Sequence, residues 1–232
     1  MTNSDIAKKS FAQAKVPDQD GLRRTGSKVR KRLAANPVVY PVPTQDRAEI
    51  FAVGDFMSAD ECDRMIGLID QVAKPSAVFD LAYGADYRTS YSGDVDPHDP
   101  FVKKISRRID DLLGIDPSWG ETIQGQRYLP GQEFKPHNDW FYTQANYWKI
   151  EKDRGGQRSW TAMVFLNEVE AGGTTDFTSL GLSIEPRRGA LLGWNNADPE
   201  GRPNEWTMHA GTQVVSGIKY IITKWYRTKR WR

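Results

Sequence analysis

The sequence predicts an α+β domain in which amphipathic helices buttress a β-sandwich or barrel, because helix signals come first and a run of short strands follows. Three observations carry this. Two helix-start signals stand in the first half, at Ser58–Glu61 and at Asp99-Pro100. Beyond residue 120, apolar segments of strand length alternate with turn formers such as Pro130-Gly131, Gly172-Gly173 and Gly201. The chain has 232 residues with 38% hydrophobic and 11% aromatic content, enough for one domain with a real core and too aromatic for disorder.

In chain order, residues 1–46 read as a basic, flexible leader and connector, and residues 47–232 as the folded domain. Positions 1–36 hold nine basic residues (Lys8, Lys9, Lys15, Arg23, Arg24, Lys28, Arg30, Lys31, Arg32) against Asp5, Asp18 and Asp20. That stretch carries +6 of a net +2, so the rest stands near −4. A solvated, partly helical leader is the favoured reading, with a nucleic-acid or polyanion tether as its rival. Three prolines in residues 36–46 mark an extended connector. Ser58 with Glu61 forms a capping-box pattern before a helix over 59–72. Asp99 caps a second helix with Pro100 at its first position, Phe101, Ile105, Ile109 and Leu112 on one stripe, and Gly114 at its end. Strands are expected at 122–129, 160–167, 182–186, 190–195 and 213–227, and a long polar loop at 142–158.

Single Cys62 excludes an intrachain disulfide. The N-terminal residues lack the apolar run of a secretory signal, and no stretch approaches the roughly 20 apolar residues of a membrane span. A soluble, cytoplasmic protein with no membrane partner is the expectation.

The chain has three histidines, His98, His137 and His209. His137 and Asp139 lie two apart, so an extended backbone projects both side chains from one face. An imidazole and a carboxylate can then grip one ion, with a third ligand from elsewhere. His209 follows a strand-like segment at 205–209 and suits that place; His98, in an acidic loop before a helix cap, is the rival. Two histidines and a carboxylate favour iron(II) over magnesium, and leave positions open for a bidentate co-substrate and dioxygen. Lys219 stands in an otherwise apolar strand, where a buried ammonium needs an anionic partner. A dicarboxylate chelating the metal at one end would be that partner, although flanking residues do not settle which face of the strand is inward.

Residues 47–228 resemble the prolyl 4-hydroxylase type of iron(II)/2-oxoglutarate-dependent dioxygenase. The resemblance rests on ordered blocks: Arg88-Thr-Ser, RYLPGQEFKPHNDWF at 127–141, AMVFLNEVEAGGTTDF at 162–177, IEPRRGALLGWNN at 184–196, MHAG at 208–211 and GIKYIITKW at 217–225. It implies a mainly β fold, a double-stranded β-helix or jelly roll with supporting N-terminal helices. It implies iron held by His137, Asp139 and His209, 2-oxoglutarate anchored by Lys219 and lined by Tyr128, Thr175 and Trp225, and O2 and ascorbate as further cofactors. Arg88 and Arg158 fall on the substrate side, and Arg227 where family members vary. Trp140, Tyr142 and Trp194 are candidates for the entrance.

The implied reaction hydroxylates a C–H bond, with release of succinate and CO2. The implied target is a prolyl residue in a peptide or protein; free proline or another amino acid is the alternative. A jelly roll that binds a partner without chemistry is the remote alternative, and loss of a ligand or of Lys219 would mark it.

Overall fold

The computed structural model describes residues 17–76 and 86–232. The leader's first sixteen positions, including Lys8, Lys9 and Lys15, lie outside the described residues. The helices are α1 (Gln19–Ala34), α2 (Ala59–Val72), α3 (Pro100–Leu113) and α4 (Trp148–Arg154). The strands are β1 (Tyr40–Pro41), β2 (Ile50–Val53), β3 (Lys74–Pro75), β4 (Tyr91–Asp94), β5 (Gln124–Tyr128), β6 (Phe134–His137) and β7 (Arg158–Phe165). They continue as β8 (Ala171–Gly172), β9 (Thr175–Phe177), β10 (Leu182–Ile184), β11 (Leu191–Asn195), β12 (His209–Gly211), β13 (Val214–Ser216) and β14 (Lys219–Arg227).

A large sheet runs β1-β2-β11-β7-β14-β5-β4-β3, and a small one runs β10-β9-β12-β6. Alternation along β7 shows how they stack. Trp160, Ala162 and Val164 join the core under the helices, whereas Met163 and Phe165 join a second core with Phe177, Trp194 and Ile221 from the inner faces of both sheets. The result is the expected jelly roll with helices on its outer side.

Local chemistry explains the two expected helices. The Ser58 side chain accepts from the Glu61 backbone while Glu61 accepts from the Ser58 backbone, closing the capping box of α2. The Asp99 carboxylate accepts from Phe101 and Val102 to start α3, and Gly114 ends it in a left-handed turn at φ 66°.

Two expectations change. Residues 19–34 are not a flexible leader: they form α1, and Leu22, Val29 and Leu33 are buried. Those three residues lie on one helical stripe, which the surrounding charge conceals in the sequence. Gly26 allows close docking, since a Cβ there would stand 2.9 Å from the Asn195 amide nitrogen. Several cations are committed to this packing. Arg32 donates to the Asp111 and Leu112 carbonyls at the end of α3, and Arg30 pairs with Glu49. Leu33→Ala is therefore expected to cost about 2–5 kcal/mol in chemical unfolding; a change within experimental error would show that α1 is dispensable to the core.

The polar loop expected at 142–158 contains α4. Trp148 and Glu151 on it are buried, and Gln157 is fixed through both backbone groups of Phe141. Gly156, at φ 76°, lets the segment close on β14, because a Cβ would meet the Thr228 hydroxyl at 2.4 Å. A seven-residue helix with two buried positions is too short for periodicity to reveal. Among the described residues, no helix is long and apolar enough to cross a membrane.

Candidate metal centre

Antiparallel pairing of β6 with β12 sets His137 directly opposite His209, with ring centroids 4.3 Å apart. His209 opens β12 after a short 3₁₀ turn at Glu205–Thr207, instead of ending a strand. Asp139 follows just beyond β6. One ligand atom from each of His137, Asp139 and His209 falls within 4.8 Å of the others, and His209 Nε2 lies 4.0 Å from Asp139 Oδ2. His98 is exposed on the loop before α3 and is not part of this cluster.

Both imidazoles are oriented from behind. His137 Nδ1 lies 2.9 Å from the Lys135 carbonyl and His209 Nδ1 2.9 Å from the Thr207 carbonyl. A carbonyl only accepts, so each Nδ1 carries the proton and each Nε2 keeps its lone pair for a metal. Burial, with His209 alongside, holds His137 well below the ordinary histidine value, so it is neutral and ready to ligate near pH 7. Phe134 stacks on His137 at 3.5 Å, and Trp194 sets its edge against His209 at 4.9 Å. Trp194 is thus a wall of the centre and not an entrance residue. Two imidazoles that turn Nε2 toward one point and one carboxylate fit a divalent iron, with open positions left for other ligands.

A cavity runs inward from the three ligands. Arg88, Tyr128, Thr175, Lys219 and Trp225 all line it with His137, Asp139 and His209. Pairing of β14 with β5 puts Lys219 opposite Tyr128, and the strand faces inward at Lys219. Lys219 is 1% exposed. Its ammonium donates to the Thr174 carbonyl and the Thr175 hydroxyl, each at 3.3 Å. Among the described residues it has no carboxylate within 4 Å, and burial pushes it down to about 7, with Asp176 opposing only in part. A buried cation without a carboxylate partner among the described residues, lining the same cavity as two histidines and a carboxylate, is suited to a dicarboxylate. The Tyr128 hydroxyl donates to Gln126 at 2.8 Å, and burial raises its pKa.

Outward, the centre opens into a second cavity of about 250 Å³ lined by Phe134, Trp140, Phe141, Tyr142, Trp225, Arg88 and Arg158. Arg158 stacks on Trp225 with 4.0 Å from its guanidinium carbon to the ring centroid, and donates to both Glu121 oxygens at 2.7 and 2.8 Å. Arg227 joins the same carboxylate and also reaches Glu151 on α4. Burial raises Glu121, but Arg158 and Arg227 outweigh it and hold the carboxyl below its ordinary value. Among the described residues Arg88 donates to Gln124 and Ser90, and burial lowers its pKa. Glu121 and Glu151 were not legible as site residues; Arg158 and Arg227, which bring them to the site, are distant in sequence and no motif contains them. Glu121→Gln leaves two buried guanidinium groups with half their counter-charge and is expected to cost about 3–5 kcal/mol in urea unfolding. An unchanged midpoint would mean the network contributes nothing.

A jelly roll with two histidines and a carboxylate at one end of its core defines a mononuclear non-haem metal oxygenase. The comparisons agree. Residues 123–227 match the model of the 2OG-Fe(II) oxygenase superfamily. A probable prolyl 4-hydroxylase 8 of Arabidopsis thaliana is 31% identical over 201 residues, covering 76% of this chain and 67% of that protein. The prolyl 4-hydroxylase subunit alpha-1 of Gallus gallus is 32% identical over 78% of this chain, which spans only 36% of that subunit. Among solved structures, the viral collagen prolyl hydroxylase of Paramecium Bursaria Chlorella virus-1, in its 2OG complex, aligns with a TM-score of 0.61 and 28% identity over 77% of this chain and 95% of that one. The chain belongs to the prolyl 4-hydroxylase-type iron(II)/2-oxoglutarate-dependent dioxygenases.

Proposed function

We propose that this dioxygenase hydroxylates a C–H bond of a prolyl residue in a peptide or protein, and converts 2-oxoglutarate to succinate and CO2. The observation that carries the reading is a pair of adjoining cavities that share Arg88, Phe134, His137, Asp139 and Trp225 as walls. The three ligands and Lys219 line the inner one, and the outer one is an aromatic and arginine-lined mouth that also reaches His137 and Asp139. In this reading His137, Asp139 and His209 hold iron(II). Lys219 takes the distal carboxylate of 2-oxoglutarate, while Tyr128, Thr175 and Trp225 line its slot.

Bound iron and 2-oxoglutarate with O2 supply the oxidising power. The chain's residues position and shield. The two histidines present their Nε2 atoms because backbone carbonyls hold the other ring nitrogen. Phe134, Trp194 and Trp225 keep water from the inner cavity. Arg88 and Arg158 border the mouth with the aromatic rings and stand on the substrate side. Flat rings and fixed guanidinium groups suit an extended, proline-bearing chain, which has few donors of its own. The single, buried Cys62 accords with work in a reducing compartment such as the cytoplasm.

The test is incubation with iron(II), 2-oxoglutarate, ascorbate and proline-rich peptides, with free proline in parallel. The expected result is a peptide heavier by one oxygen atom and an equal amount of succinate, both dependent on His137. Oxidation of free proline alone would overturn the peptide assignment, and absence of succinate with a whole-proteome extract would overturn the reaction.

A further inference from the structure

Asp139 and His209 come from different segments, yet one buried hydrogen-bonded path joins them. The Thr161 hydroxyl donates to Asp139 Oδ2 at 2.7 Å. A hydroxyl has one proton, so whatever else approaches Thr161 Oγ1 must donate to it. The Asn196 amide nitrogen does so, at 2.9 Å. The same Asn196 accepts at its backbone carbonyl from the Asn204 N–H at 3.1 Å. The Asn204 carbonyl accepts from the Thr207 hydroxyl at 2.8 Å, and the Thr207 carbonyl accepts from His209 Nδ1 at 2.9 Å. Each link has the direction its chemistry requires.

Neither Thr161 nor Asn196 has another evident task. Thr161 is 0% exposed in the middle of β7, opposite Trp194 on β11 and Trp225 on β14. Asn196 is 2% exposed, and its side-chain oxygen has no hydrogen-bond partner among the described residues. A buried unpaired amide oxygen is costly, and an apolar residue would avoid it. What the position uses is the amide nitrogen, pointed at Thr161.

We infer that Thr161 and Asn196 are positioning residues for the metal centre: Thr161 fixes the orientation of the Asp139 carboxylate, and Asn196 ties that carboxylate to the turn that aims His209. The inference rests on the metal reading of His137, Asp139 and His209. Thr161 holds the Asp139 carboxylate through Oδ2, the oxygen that stands 4.0 Å from His209 Nε2, and so sets the angle at which the carboxylate meets the other two ligands. Outer partners of this kind shift metal affinity about 10–100-fold.

The test is Co(II) binding to the full chain, followed by visible absorption and calorimetry, together with thermal unfolding of the metal-free proteins. Thr161→Val keeps shape and removes the donor; Thr161→Ser keeps the donor; Asn196→Asp sets a carboxylate against the hydroxyl. The expected result is a loss of about 10–100-fold in Co(II) affinity for Thr161→Val and Asn196→Asp. Thr161→Ser should bind as the parent does. Wild-type affinity in Thr161→Val, equal losses in Val and Ser, or a lowered metal-free midpoint with affinity intact would each overturn the inference. His137→Ala separates the two levels. If Co(II) still binds that variant, the metal reading fails; if it alone loses binding, only the positioning role fails.

Discussion

His137→Ala protein is expected to fold, to lose 2-oxoglutarate turnover, and to bind iron(II) more than about 100-fold more weakly, beyond the range for losing an outer hydrogen-bond partner. The imidazole lies at the end of β6 on the rim of the cavity, so its removal opens space without cutting the ladder that pairs β12 with β9. Its partner Phe134 remains to cover the gap. His209→Ala should behave alike for metal but lose more stability, because its ring packs between His137, Phe177 and Trp194. His98→Ala is the control. That residue is exposed on the loop before α3, and its replacement should leave iron binding and succinate formation unchanged. Calorimetric metal titration and a succinate assay decide the matter; metal binding that survives His137→Ala, or falls with His98→Ala, would refute the ligand assignment.

Much of this arrangement was legible from sequence where local rules act. The caps at Ser58 and Asp99 need only neighbours within four residues, and both helices start where those caps stand. Strands rich in β-branched and aromatic residues were visible for the same reason. The His137/Asp139 pair was visible as spacing, because two residues on an extended segment share a face. What stayed hidden depends on contacts across the chain. The polarity of α1 concealed its apolar stripe, since Leu22, Val29 and Leu33 among six cations read as a solvated face. The inward face of β14 could not be told from its own alternation, because nearly all of it is buried, Lys219, Lys224 and Arg227 included. Glu121 and Glu151 acquire meaning only when Arg158 and Arg227 meet them, and Asn196 only when Thr161 and Asn204 do. Polar groups buried by tertiary partners are the ones a linear reading misses.

Lys219→Met is expected to raise the KM for 2-oxoglutarate by about 30-fold or more, since truncating one member of a buried charge pair costs about 2–5 kcal/mol. Lys219→Arg should recover only part, because a wide planar fork replaces a point charge beside Thr175. The pH dependence is the sharper signature. In the free protein, burial pushes the Lys219 ammonium down to about 7. A bound dicarboxylate favours the charged form and returns it toward the ordinary lysine value. Binding at pH 8 must therefore take up close to one proton, and affinity should fall about tenfold per pH unit above 7 while staying flat below it. Metal-free stability should move the other way. The folded state holds the lysine's proton less tightly than the unfolded chain, so between about 7 and the usual 10.5 stability rises with pH. Calorimetry in two buffers of different ionisation enthalpy measures the proton directly. No uptake at pH 8, with unchanged affinity between pH 7 and 9, would remove Lys219 as the anchor of the co-substrate.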